Sequence, residues 1–118
     1  MKDILIAARA KIASPDTWTQ HVLARDTNDN SHPDSHSYAK YIHWEGLNGR
    51  DPQACKFCAV GAVQAVTTDD NTEFYRVRNA LDKAAKQLFG THNIAEVNDG
   101  DHGHAAVLQC YDHAINTI

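Results

Sequence analysis

The sequence predicts an all-α fold: a compact bundle of four main helices plus short helical turns, with a helix over 54–66 buried in the centre and one long loop. Three observations carry this prediction. Apolar residues recur at spacings of three and four in separate stretches, one stretch is apolar on every side, and capping residues, proline or glycine bracket the stretches. At 118 residues the chain has room for one hydrophobic core, so 1–118 is read as a single domain.

In the first stretch Ile4, Leu5, Ala8 and Ile12 form the stripe of a helix over 2–13. Ser14-Pro15 then gives an N-cap and a proline at the first helical position, opening a short second helix whose buried side is Trp18, Val22 and Leu23. From 26 to 51 the periodicity dissolves into Asp, Asn, Ser, His, Pro and Gly. Only Tyr38, Tyr41 and Ile42 keep helical spacing there, which predicts a long loop with one or two helical turns; a short strand fits the same stretch. Asp51-Pro52 repeats the cap-plus-proline signal. Beyond it Cys55, Phe57, Cys58, Ala59, Val60, Ala62, Val63, Ala65 and Val66 leave no polar face, as a central helix requires. Its small residues, Gly61 among them, let neighbouring helices approach. Phe74, Val77, Leu81, Ala84 and Leu88 trace the clearest amphipathic helix, and Gly90 stands where a left-handed cap is wanted. A connector over 91–97 and a turn at Asn98-Asp99-Gly100-Asp101 lead to a last helix, capped by Asp101, that presents Val107, Leu108, Tyr111, Ala114 and Ile115.

Charge and composition exclude whole classes of function. Eleven Lys and Arg against fifteen Asp and Glu give a net charge of −4, the wrong sign for a general nucleic-acid backbone binder. The basic residues Arg76, Arg78, Lys83 and Lys86 read as a solvated helix face, with Asp82 placed to pair with Arg78. No stretch approaches the ~18 apolar residues of a membrane span. Arg9 and Lys11 interrupt the N-terminal apolar run, so no signal peptide is expected. Three cysteines leave one over in any disulfide framework, and a cytoplasmic location is the expectation.

Four constellations could carry chemistry. Cys55 and Cys58 have the spacing of half a zinc site, which His102 and His104, or His32 and His36, would complete; buried thiols are the simpler reading, so no cofactor is assigned. Cys58 near a helix start, with His104 as base and Asp99 to orient it, would supply the parts of a thiol hydrolase, although no protease signature surrounds them. The stretch from Asp26 to Ser31 begins like a calcium loop, but Ser31 stands where glycine is needed and Ser37 where the bidentate glutamate belongs, so it is a turn. Tyr38, Tyr41 and Trp44, with His43 among them, place aromatic side chains in a polar loop, a pattern that suits a partner-binding patch.

The order of short motifs along the chain resembles that of an uncharacterised family of small bacterial and phage proteins. The shared elements are Trp18 after the N-terminal helix, Ala24-Arg25-Asp26, the Cys-x-x-Gly-Ala helix of Cys58, Gly61 and Ala62, and the Asn98-Asp99 pair before the last helix. Two features depart from it: Val97 stands where members often carry Trp, and the loop after Asp26 is longer and richer in His and Tyr. The resemblance implies the helical order and a capping or hydrogen-bonding role for Asn98 and Asp99 near Cys58. It implies no activity. The leading expectation is a small, non-enzymatic protein–protein interaction module, an accessory protein of a phage or mobile element that regulates or inhibits a host factor. A metal-binding or cysteine-dependent enzyme centred on Cys55 and Cys58 with His102 and His104 is the alternative, and a second copy of the chain is the other partner left open.

Overall fold

The computed structural model describes residues 1–31, 47–69 and 71–118. Helix α1 spans Lys2–Lys11 and buries Leu5 and Ala8. A 3-10 turn, Pro15–Thr17, follows, with the Ser14 side chain accepting from the Asp16 N–H. Two short strands, β1 (Ala24–Arg25) and β2 (Lys56–Phe57), pair antiparallel, Ala24 opposite Phe57 and Arg25 opposite Lys56. Helix α2 is Ala59–Ala65, α3 is Thr72–Phe89, α4 is Ile94–Asp99 and α5 is His104–Asn116. Helix α2 packs against α1, α3 and α4, and α5 closes the bundle against α1, α3 and α4.

The all-α class and the central buried helix therefore hold, with α1, α2, α3 and α5 as the main helices. Helix α2 carries an unbroken run of buried residues from Ala59 to Gln64, and its polar member is satisfied: the Gln64 side chain accepts from the Gly49 N–H at 2.9 Å. The amphipathic helix forms as its spacing requires. Asn71 caps α3 through a bond from the Phe74 N–H, Phe74, Val77, Leu81 and Ala84 are buried, and Gly90 ends it at φ 69°. Leu88 departs from the stripe and is exposed, while Ala85 is buried.

Four local readings are corrected. The expected helix after Ser14-Pro15 stops after one turn, and the chain continues extended. His21 adopts φ 72°, which no helix allows, and the backbone groups of this stretch find partners on other segments: Thr19 N–H donates to the Phe57 carbonyl at 3.0 Å, and the Leu23 carbonyl accepts from Cys58 N–H at 3.1 Å. The expected helix over 54–66 begins only at Ala59, because Asp51-Pro52 makes a single turn (Ala54 N–H to the Asp51 carbonyl, 3.0 Å) and the next four residues run as strand β2 and its approach. An apolar run does not by itself distinguish strand from helix. The Asn98-Asp99 turn is instead the last turn of α4, a helix begun by Asn93, whose side chain accepts from the Glu96 N–H while Glu96 accepts from the His92 N–H. Asp101 does not cap the last helix; Gly103, at φ 87°, holds that position with no side-chain bond.

The core makes stability sensitive to alkali. Burial pushes the Cys110 thiol up to about 11 and also raises Cys58, and it holds Tyr111 well above the usual phenol range. An unfolded chain gives up these protons at lower pH than the folded one. The stabilisation is complete below the unfolded values and is lost as pH rises through the folded ones. Thermal unfolding followed from pH 9 to 11 is expected to show a falling midpoint. Cys110→Ala should flatten that fall by on the order of 2 kcal/mol, whatever its effect at neutral pH.

Candidate functional site

Trp18, Cys58, Gly61, Asn98 and Asp99 of the sequence motifs converge on one place, and the side chain at its centre is Asn98. At the end of α4 it is 1% exposed, and each end of its amide is used twice. Its Oδ1 accepts from the Trp18 indole N–H at 2.7 Å and from the Ala59 N–H at 2.9 Å; its Nδ2 donates to the Thr19 carbonyl at 3.0 Å and to Asp99 Oδ1 at 2.9 Å. One amide thus joins the extended segment after Pro15, the first residue of α2 and its own helix. Asp99 Oδ1 also accepts from the His21 N–H at 2.8 Å, which stabilises the positive φ of His21. Gln20 closes the same corner, donating to the carbonyls of Asn98 and Gly100 at 3.0 and 3.2 Å.

Cys58 lies beside this hub as the N-cap of α2, its sulfur accepting from the Gly61 N–H at 3.3 Å. Burial pushes its thiol up; the N–H groups of Gly61 and Val60 pull the other way, and the Asp99 carboxylate adds to the rise. The net result is a neutral thiol at neutral pH, serving as a weak helix cap. Serine offers the same acceptor and alanine none, so Cys58→Ser is expected to exceed Cys58→Ala in stability by about 1 kcal/mol, read by urea denaturation.

Gly61 has a different task. A Cβ there would stand 1.9 Å from the Leu23 carbonyl oxygen, so the extended segment lies directly on the helix backbone. On another side, a Cβ on Gly49 would come 1.8 Å from the Gly61 carbonyl oxygen. The small residues of α2 admit backbone, where the sequence suggested neighbouring helices. Tyr111 on α5 fixes the helix start from within, its hydroxyl donating to the Ala59 carbonyl at 2.7 Å.

The remaining site residues are distributed as follows. His104 packs against Trp18 with the rings tilted at 49° and their centroids 5.4 Å apart, and its Nε2 bonds the Ile12 carbonyl. A carbonyl only accepts, so Nε2 carries the proton, and this imidazole ties α5 to the end of α1. His102 lies against the Phe89 ring at 5.0 Å, and Cys55 is half-buried at the approach to β2, its N–H bonded to the Arg25 carbonyl. Among the described residues no group of three or more His, Cys, Asp or Glu side chains is arranged to hold a metal ion. Asp26 folds its own turn, its Oδ1 accepting from the Asn28 and Asn30 N–H groups. Arg25 braces that turn, donating to Thr19 Oγ1 at 2.7 Å and to the Asp29 carbonyl at 3.1 Å. Tyr38, Tyr41, His43 and Trp44, with His32 and His36, lie outside the described residues.

A cleft opens beside the hub, between α2, α3, α4 and the segment at His21. It encloses about 290 Å³; Val22, Leu23, Val60 and Ala95 form its apolar walls, and Cys58 and Asn98 lie at its base. Arg78 and Asp99 also line it. Arg78 does not form the ion pair with Asp82 that helical spacing suggested, because Asp82 Oδ1 accepts from the Ile94 N–H at 2.9 Å and fastens α4 to α3. Sequence reasoning missed Gln20 and His21 and gave Arg78 a solvated face; the positive φ of His21 and the diversion of Asp82 are tertiary effects with no local signal.

These features define a small helical domain in which an asparagine, a cysteine and an aspartate knit remote segments together beside a cleft. The chain belongs to a family of unknown function, DUF6197, whose family profile matches residues 1–117. No curated protein and no solved structure matches it. No helix among the described residues is long and apolar enough to cross a membrane.

Proposed function

We propose that this chain is a non-enzymatic interaction module, a small accessory protein of a phage or mobile element that holds and regulates a host protein in the cytoplasm. One observation carries the reading: among the described residues, the cluster of Cys58, Asn98 and His104 is committed to internal bonds. The Cys58 sulfur caps α2 and its thiol is raised, Asn98 makes four hydrogen bonds, and His104 is bound to the Ile12 carbonyl. A thiol reaction would need Cys58 ionised and a base beside it, and its surroundings favour the neutral form. Three free cysteines, two of them buried, suit a reducing compartment.

The partner surface assigned to this module is the aromatic loop of Tyr38, Tyr41, His43 and Trp44. Capture from host lysate on the immobilised full chain tests the reading. Wild type and Cys58→Ser are expected to retain the same host protein, and a triple Tyr38→Ala, Tyr41→Ala, Trp44→Ala chain to lose it. Retention of no host protein, or retention that requires the Cys58 thiol, contradicts the proposal. Mass in solution separates this partner from a second copy of the chain.

A further inference from the structure

The cleft beside Asn98 carries two charged groups whose bonding is incomplete. Arg78 is half-buried, and its guanidinium makes no hydrogen bond or ion pair among the described residues. Asp99 spends only Oδ1, on the His21 N–H and Asn98 Nδ2; its Oδ2 has no partner among the described residues. The two side chains line the same cavity without forming an ion pair with each other.

The chemistry of the lining narrows the occupant. An arginine fork binds a carboxylate or phosphate in bidentate fashion. The Asp99 carboxylate on the same wall repels a dianion such as phosphate and favours a ligand that brings its own cation or donor. One positive and one negative group, set among Val22, Leu23, Val60 and Ala95, match a ligand with no net charge, both signs at one end and an aliphatic body. At about 290 Å³ the cleft lies at the small end of the ~300–1,000 Å³ range of small-molecule sites. Its base is fixed before any ligand arrives, because Asn98 is held by four hydrogen bonds, so little ordering opposes binding.

We propose that this cleft binds a free aliphatic α-amino acid as its zwitterion, the carboxylate on Arg78, the ammonium on Asp99 Oδ2 and the side chain against the apolar walls. The proposed contacts use none of Tyr38, Tyr41, His43 and Trp44, so the module has a small-molecule input as well as a protein partner.

Isothermal titration calorimetry of the full chain tests this with L-leucine, N-acetyl-L-leucine, L-leucinamide and inorganic phosphate. Leucine is expected to bind saturably, and both blocked derivatives at least about tenfold more weakly, each having lost one charge-assisted contact. Arg78→Gln, a change on a half-exposed helix position, is expected to weaken leucine by a similar factor with the far-ultraviolet dichroism unchanged; Asp99→Asn should do the same. The proposal is overturned if none of leucine, isoleucine and valine binds at about 10 mM. It is equally overturned if N-acetyl-leucine or leucinamide binds as tightly as leucine, which would assign the cleft to one end of a peptide, or if phosphate binds best. Host-protein capture by Arg78→Gln reads the loop separately, so failure here and failure of the partner proposal are distinguishable.

Discussion

Asn98→Ala is expected to cost about 3–5 kcal/mol of folding stability, an unusually large loss for a polar side chain. The figure follows from the groups left behind. Removing the amide strands the Trp18 indole N–H, the Ala59 N–H and the Thr19 carbonyl, the last two on residues that are themselves buried. An unsatisfied buried donor or acceptor costs about 1–3 kcal/mol, and the cavity adds to it. Asn98→Asp refines the test through its pH dependence. The carboxylate keeps an acceptor for Trp18 and Ala59 but turns an oxygen toward the Thr19 carbonyl and the Asp99 carboxylate. Burial and that like charge raise the new acid above its unfolded value. Its protonated form restores a donor, so Asn98→Asp should regain stability as pH falls and lose it as pH rises through the raised value. Urea denaturation at neutral and mildly acidic pH reads both variants. A loss under about 1 kcal/mol for Asn98→Ala would show that the amide is not the hub described.

Gly61→Ala is expected to destabilise by at least about 3 kcal/mol, against the direction that helix propensity alone gives. In the middle of an exposed helix, glycine to alanine gains about 1 kcal/mol. Here the added methyl would stand 1.9 Å from the Leu23 carbonyl oxygen, an obstruction made of backbone that no rotamer change relieves. Lifting the extended segment off α2 would break the Cys58 N–H bond to Leu23 and pull on the Thr19 carbonyl held by Asn98. Gly90 is the contrast: its added Cβ meets nothing within 4 Å, and only its φ of 69° resists. Gly90→Ala should therefore cost only about 1 kcal/mol. Thermal unfolding of the two variants side by side separates close approach from backbone conformation.

Much of the fold was legible because its signals are local. Phe74, Val77, Leu81 and Ala84 mark one helix face, Asn71 and Gly90 mark its ends, and each of these features lies within a few residues of what it specifies. The Cys58–Ala62 run announced a buried helix for the same reason. The hub was legible only in part. Asn98 and Asp99 stood out beside Cys58 as capping or hydrogen-bonding residues, yet three of the four partners of Asn98 lie 39 to 80 residues away in sequence. Nothing at Trp18 or Thr19 announces that the chain there is extended, because the strand-like path is imposed by Phe57, Cys58 and Asn98. The proline after Asp51 misled for a related reason: aspartate-proline starts a turn as readily as a helix, and only the next residues' partners decide. Arg78 reads as part of a solvated, paired face because helical spacing offers it Asp82, and tertiary structure gives Asp82 to the Ile94 N–H instead.

The central claim is that Cys58 and Asn98 hold the molecule together and leave its work to binding. The rate at which iodoacetamide modifies Cys58 at neutral pH, read by peptide mass on the full-length folded chain, tests it most directly. The expected result is labelling at least about a hundredfold slower than in the urea-unfolded chain, and slower than at half-buried Cys55, because the thiol is neutral and enclosed. Labelling of folded Cys58 faster than of the unfolded chain would reveal an activated thiolate and contradict the account.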